Sequence, residues 1–211
     1  MRHEPKSFIS PSYEASKLDV PMVDDLIDVF EDRTLGWVLK PAETLMNTPG
    51  LEITGFAVSL AYFEGIWSYI QCQDSKNRSK LFFTQGFVDV YGSSGAPVQL
   101  LERTAGVLYE DARCGFFHDA MFRDRIYFSA YYGKPIAVTL PLVNGVPDPA
   151  GEIESIVVLP KEYCRYLIGH FTKYVARLRD SANAALRQDF ESFCRARWDI
   201  GGAGRTIVLQ P

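Results

Sequence analysis

The chain has 211 residues, of which 47% are hydrophobic, and its 22 basic and 26 acidic side chains leave a net charge of −4. This length suits one domain with a sizeable core, and the hydrophobic content excludes extensive disorder. The acidic balance excludes binding of long nucleic acid over the whole surface, since such proteins carry a basic excess that displaces counterions.

The first third of the chain predicts a polar arm followed by helices. Residues 1–20 are polar, with prolines at positions 5 and 11, and predict a flexible arm. Apolar residues at helical spacing predict a helix from Val23, and Pro41 and the Pro49-Gly50 pair are expected to break the region that follows. A stronger helix is predicted from Leu51 or Glu52, because five apolar residues recur at spacings of three and four. These are Phe56, Leu60, Phe63, Trp67 and Ile70.

Two shorter helices are predicted next. Lys80 to Tyr91 predicts a short helix, with a strand as the alternative because of its aromatic content. The Gly-Ser-Ser-Gly run at 92–95 is a break, and Pro97 then suits the first turn of a new helix. That helix is expected to end near Arg113, with Gly115 in the turn after it.

The pattern changes to β structure over about residues 125–159. Runs of β-branched and aromatic residues cover 125–132, 135–143 and 152–159, and Asn144-Gly145 predicts a turn. We expect a small antiparallel hairpin or sheet inserted into a helical protein.

The longest predicted helix begins at Pro160 and continues almost to Trp198, with Gly201-Gly202 ending it. Residues 201–211 are then a C-terminal tail. The predicted fold is mainly α: a helical bundle carrying an inserted small antiparallel β-hairpin or sheet, as a single domain over residues 21–200.

Metal, cofactor and membrane sites have no sequence signal. The four cysteines form no C-x-x-C pair and the chain has three histidines, so we expect no metal site and no cofactor. The N-terminus has no signal peptide pattern, and the longest apolar run, 56–63, is too short to span a bilayer. We therefore predict a cytoplasmic protein without a membrane partner.

Residues 109–125 contain the densest group of side chains that can take part in catalysis or binding. Arg113 and His118 are five residues apart across the predicted turn, so both side chains can address one phosphate. A guanidinium holds two phosphate oxygens and stabilises the charge of the transition state, and an imidazole moves protons near neutral pH. We assign these two residues as catalytic. The predicted substrate-binding residues around them are Tyr109, Cys114, Asp119, Arg123 and Arg125.

Structural roles are the alternative for each of these residues. Arg113 could cap helix carbonyls or pair with Asp111, and His118 could bond a backbone group. Asp119 could orient the imidazole or cap a helix. Arg123 and Arg125 could extend a phosphate-binding track or pair with Asp119 and Asp124. Glu64, inside an apolar helix, either pairs with Arg113 or lies on a solvated face.

The segment Tyr109-x-x-x-Arg113-Cys114-Gly115-Phe116-Phe117-His118 resembles the Arg-x4-His motif of the HEPN superfamily (higher eukaryotes and prokaryotes nucleotide-binding domain). The resemblance covers roughly residues 50–130. It implies a helical domain that often dimerises, placing two Arg/His pairs across a shared cleft. Many members are metal-independent endoribonucleases of toxin–antitoxin, phage-defence or RNA-guided systems.

Two positions depart from the motif of active members. The residue after the arginine, often Asn, Asp or His, is Cys114, and a tyrosine two residues after the histidine in one toxin branch is replaced by Ala120. The resemblance therefore leaves two functions open: an RNA-cleaving enzyme, or a non-catalytic module that binds RNA or protein. Its implied partners are RNA, a second copy of the chain, and an antitoxin or defence protein. A helical scaffold without a ligand is the third alternative.

Overall fold

The computed structural model describes residues 8–129, 133–198 and 200, and it is mainly helical with a small sheet, as predicted. The α-helices are α1 (Val23–Arg33), α2 (Lys40–Met46), α3 (Glu52–Gln71), α4 (Ser79–Tyr91), α5 (Val98–Val107), α6 (Pro160–Arg179) and α7 (Ala184–Arg197). Two π-helices occur, π1 (Thr34–Leu39) and π2 (Leu108–Asp119). The strands are β1 (Ile126–Phe128), β2 (Ile136–Thr139), β3 (Leu142–Val143), β4 (Val146–Pro147) and β5 (Ser155–Val158).

Most of the region expected to be an arm lies against α1. Ser10 is fully buried, and Lys17 forms ion pairs with Asp25 at 2.7 Å and with Asp28 at 3.1 Å. The side chain of Arg33 also donates a hydrogen bond to the carbonyl of Ile9. Residues 8–20 are therefore part of the folded domain, and the first seven residues of the predicted arm lie outside the described residues.

Helix α3 is at the centre of the core and packs against α2, α4 and α6. Three residues of its predicted stripe, Phe56, Leu60 and Phe63, are fully buried. Gly86 of α4 packs directly on this helix, because a Cβ there would overlap the carbonyl oxygen of Phe63. This close approach explains a glycine in the middle of a helix.

The three-stranded sheet is mixed rather than antiparallel. Its central strand β5 pairs in parallel with β1 and antiparallel with β2. Ile156 and Val158 of β5 are fully buried and join the helical core. A separate β3–β4 hairpin turns at Asn144-Gly145, where both residues have positive φ, and this agrees with the turn signal in the sequence.

The structure differs from the predicted helix boundaries near Pro41 and in the C-terminal region. Pro41 does not break the chain, since α1, π1 and α2 follow one another and Pro41 lies in the first turn of α2, where its fixed φ is compatible with a helix. The long C-terminal helix is instead two helices, α6 and α7. Between them the Asp180 carboxylate accepts hydrogen bonds from the Ala182 N–H and the Asn183 amide, which stabilise a turn.

No helix within the described residues is long and apolar enough to cross a membrane. The predicted tail, residues 201–211, lies outside the described residues.

Candidate functional site

Most of the residues singled out by the sequence lie on π2, which continues α5 without a break, and Arg123 and Arg125 follow its C-terminal end. The helix therefore does not end near Arg113; it ends at Asp119, and Ala120 follows with a φ of 57°. Gly115 lies inside the helix rather than in a turn. A Cβ on Gly115 would be 2.8 Å from the carbonyl oxygen of Met121, so the glycine allows the following segment to fold back against π2.

The π-helical winding determines the relative positions of Arg113 and His118 around the helix axis. In an α-helix, residues five apart are rotated by roughly 140° around the axis. In a π-helix, hydrogen bonds join residues five apart, so these residues are neighbours on one face. The interval of five between Arg113 and His118 matches this repeat. The two side chains therefore start from one side of π2.

Arg113 is held by groups from two directions. Its guanidinium lies 3.4 Å from the Glu64 carboxylate of α3 and over the Tyr109 ring, 5.1 Å from the ring centroid. The other oxygen of Glu64 accepts a 2.7 Å hydrogen bond from Ser75. Of the two alternatives for Glu64, the structure shows the pairing with Arg113. Since a guanidinium has five N–H donors and the side chain is 30% exposed, donors remain for a ligand.

Tyr109 supports Arg113 through its aromatic ring. Its ring packs edge-to-face on Phe83 with a centroid distance of 5.4 Å. Burial raises the pKa of Tyr109, and the positive charge of Arg113 opposes this shift. The phenol therefore stays neutral at physiological pH and serves as a cation–π platform.

His118 is exposed and forms no hydrogen bond or ion pair with any residue in the described part of the chain. Asp119 does not orient it, because the Asp119 carboxylate pairs with Arg123 at 3.2 Å. Phe117, next to it in sequence, is also largely exposed. The imidazole is thus accessible to a ligand on an open surface that includes an aromatic ring.

Arg125 has a structural partner. Its Nε donates a 2.6 Å hydrogen bond to the Asp111 carboxylate, whose side chain is only 7% exposed. This contact raises the pKa of Arg125. Removing the charged partner of a buried carboxylate is costly, so Arg125 stabilises Asp111. The contact uses only Nε, and the Arg125 side chain is 40% exposed, so its other N–H donors remain available to a phosphate.

The remaining two residues of the predicted set differ in exposure. Cys114 is half-buried on π2. Arg123 is exposed, and its side chain forms an i,i+4 pair with Asp119. Exposed pairs of this kind are weak, so a ligand could replace Asp119 on Arg123.

A hydrogen-bonded cluster around His170 could not be predicted from the sequence. His170 of α6 accepts a 2.8 Å hydrogen bond at Nδ1 from Tyr62 and donates a 3.0 Å bond from Nε2 to Asp89. Burial raises the pKa of Tyr62 well above its usual value, so the phenol is the donor. The three residues come from α3, α4 and α6 and are far apart in sequence, so no local motif reveals them.

Comparison with known proteins does not extend this description. No family model, curated protein sequence or solved structure matches the chain. The assignment of a function therefore depends on the chemistry of the residues themselves, above all Arg113 and His118.

Proposed function

We propose that the Arg113–His118 face of π2 cleaves RNA as a metal-independent endoribonuclease of the HEPN type. The observation that carries this proposal is an exposed imidazole, without a partner in the part of the chain that the structure describes, and a guanidinium one π-helical repeat away. The HEPN resemblance extends it to a cytoplasmic protein of a toxin or phage-defence system.

The chemistry needs only these two side chains and the substrate. The His118 imidazole takes the proton of a ribose 2′-hydroxyl, whose oxygen attacks the adjacent phosphorus. The new P–O2′ bond forms as the P–O5′ bond breaks, and the 5′-oxygen leaves with a proton from solvent. Arg113 donates hydrogen bonds to the non-bridging oxygens, where negative charge grows. The products are a 2′,3′-cyclic phosphate and a 5′-hydroxyl.

The surface around His118 suits single-stranded RNA. Phe117 is exposed beside the imidazole, and an aromatic face stacks unpaired bases with little sequence preference. Arg123 offers a further cation once it leaves Asp119. The contact is local, as the net charge of −4 requires.

The same surface fits a homodimer. Phe117 and Met121 are large apolar residues, each more than half exposed, on the segment that carries His118. Apolar residues grouped on a surface are a feature of interfaces. A second copy meeting this segment brings two Arg113–His118 pairs to one cleft, as the HEPN resemblance implies.

The proposal is tested by incubating purified protein with single-stranded RNA in excess EDTA. We expect cleavage by the wild type, and a loss of about 100-fold or more in His118→Ala and Arg113→Ala. Arg177→Ala, which removes an exposed arginine of α6, is the matched control and retains full activity. Cleavage that persists in His118→Ala, or that EDTA abolishes, contradicts the proposal.

The second candidate function is a non-catalytic HEPN-like module that binds RNA or a protein. The pairing of Arg113 with Glu64 favours it, because this carboxylate competes with a phosphate for the guanidinium. Cys114 also favours this second function. A thiol is a weak hydrogen-bond donor, and active HEPN members often carry Asn, Asp or His at this position. It predicts RNA binding that weakens with salt and with Arg113→Ala, without cleavage under any condition.

A further inference from the structure

An open apolar groove of about 100 Å³ lies between π1 and α3, and Arg113 and His118 do not line it. None of the described residues in its wall is charged at neutral pH, and the wall includes Phe30, Val38, Ala61, Gly65, Ile66 and Tyr69. An apolar cavity on the order of 150 Å³ accommodates one benzene molecule. The π1–α3 groove therefore fits a single aliphatic side chain.

Small residues on α3 keep this groove open. Ala61 is exposed, and a Cβ on Gly65 would meet no atom within 4 Å. Gly55 and Gly86 differ, because a Cβ there would overlap atoms of α2 or of α3. A glycine inside a helix is destabilising relative to alanine, and no packing contact with a described residue explains Gly65. The space above it is available to another group.

The other wall of the groove belongs to π1. Thr34 and Val38 line it from this helix, and Trp37 between them is 51% exposed. Short π-helical segments are rare and frequently occur at functional sites. An exposed tryptophan beside an open apolar groove is typical of a surface that another segment covers.

The last described part of the chain lies beside the groove. Trp198, which follows α7, donates a 3.1 Å hydrogen bond from Nε1 to the hydroxyl of Tyr69, a residue of the groove wall. The Arg33 guanidinium lies 4.7 Å from the centroid of the Trp198 ring and 6.0 Å from that of Trp37. Residues 201–211 therefore continue from a point next to the groove.

The sequence of this segment suits the groove. Residues 201–204 are Gly-Gly-Ala-Gly, and residues 206–209 are Thr-Ile-Val-Leu, with no charged side chain. Ile207 is seven positions after Ile200, which allows an extended reach of up to about 24 Å. Tyr69 and Ala61 are separated by only about 12 Å along α3. Because the segment is attached to the domain, its docking avoids most of the entropic cost of bringing two molecules together.

We propose that residues 206–209 dock into the π1–α3 groove of the same chain. In an extended segment, Ile207 and Leu209 lie on one side, because side chains alternate. One of the two fills the space above Gly65, and the other covers the Trp37 ring. This interaction surface is separate from the RNA chemistry at His118.

The test is methyl NMR spectroscopy on the full chain, with ¹³C-labelled methyl groups on alanine, isoleucine, valine and leucine. Wild type shows nuclear Overhauser effects (NOEs) between methyl groups of residues 206–209 and those of Val38 and Ala61. Gly65→Leu fills the groove from a position where a Cβ has free space, and it removes these NOEs. Gly106→Leu, at a glycine of α5 with equally open surroundings, retains them and is the matched control.

Thermal unfolding gives a second, independent readout. Replacing Ile207, Val208 and Leu209 with serine lowers the melting temperature of the wild type by about 4 °C, because apolar burial is lost. The same replacement leaves the Gly65→Leu variant unchanged, since its groove no longer receives the segment.

Three results overturn the proposal. The first is the absence of these NOEs in the wild type, and the second is an equal loss of melting temperature in the two backgrounds. The third is NOEs that arise only between a labelled and an unlabelled copy, which assign the groove to the segment of a second chain. His118→Ala leaves the NOEs unchanged, so failure of the RNA proposal is distinguishable from failure of this one.

Discussion

The two histidines described here, His118 on π2 and His170 on α6, have opposite environments. His118 is exposed and unpartnered among the described residues, whereas His170 is 19% exposed and uses both ring nitrogens to join Tyr62 and Asp89. A histidine whose two ring nitrogens both form hydrogen bonds stabilises the residues around it. A histidine whose ring nitrogens have no protein partner can exchange protons with a ligand. The contrast separates a group available for chemistry from one that stabilises the fold.

Replacing either histidine with alanine is expected to have the largest effect of the substitutions considered. His118→Ala is expected to lower RNA cleavage by about 10²–10⁴-fold, the contribution of general acid–base catalysis, without changing the melting temperature. His170→Ala is expected to do the reverse, because it leaves the buried Tyr62 hydroxyl without a partner. Cleavage assays and thermal unfolding on both variants check this. Equal losses of activity and stability in the two variants would contradict the distinction.

The stability of π2 is expected to depend on Asp111 and not on the Arg113–His118 pair. Arg125→Ala leaves the buried Asp111 carboxylate uncompensated and is expected to reduce the free energy of unfolding by about 3 kcal/mol. Urea denaturation measures this loss. Asp111→Asn combined with Arg125→Ala should recover much of it, since the charge itself is removed, and an undiminished loss in the double variant would argue against charge burial as the cause.

Removing the hydrogen bond from Tyr62 to His170 tests whether His170 has a structural role. Tyr62→Phe removes the donor to Nδ1 while keeping the packed ring, so we expect a loss of about 1 kcal/mol in unfolding free energy. RNA cleavage by this variant should match that of wild type. Chemical denaturation and the cleavage assay are run on the same preparation, and a strong loss of cleavage would connect two regions that the account treats as independent.

The smallest effect is expected at Arg123. Its exposed pair with Asp119 should contribute less than about 0.5 kcal/mol to stability, so Arg123→Ala should unfold like the wild type. RNA affinity should nevertheless fall and become less dependent on salt if this cation contacts a phosphate. Fluorescence anisotropy with labelled RNA at several salt concentrations measures this. Unchanged affinity would limit the RNA contact to Arg113 and His118.

Local patterns in the sequence predicted the parts of the fold that depend on nearby residues. The apolar stripe of α3 and the turn at Asn144-Gly145 follow from spacing and from residue type, and the structure confirms both. The mainly helical fold with a small sheet also follows from these patterns. The parallel pairing of β1 with β5 does not, because it joins residues about thirty positions apart and no turn type specifies it.

Parts of the candidate site could not be predicted from the sequence, because they also depend on contacts between distant residues or on helix geometry. Arg113 and His118 are close in sequence, so their spacing could be recognised, but the π-helical winding that aligns them has no simple sequence signature. The partner of Arg125 is Asp111, and no periodic rule selects it over Asp119 or Asp124. The Tyr62–His170–Asp89 cluster requires the packing of three helices.

The central claim is that His118 removes a proton from a ribose 2′-hydroxyl. The most direct measurement uses an RNA that is 2′-O-methylated at every ribose except one, incubated with the protein in EDTA, with mass spectrometry of the products. The account predicts a single cut at the free 2′-hydroxyl, a 2′,3′-cyclic phosphate end, and no product with His118→Ala. Cuts at methylated positions, or a 3′-hydroxyl end, would contradict it.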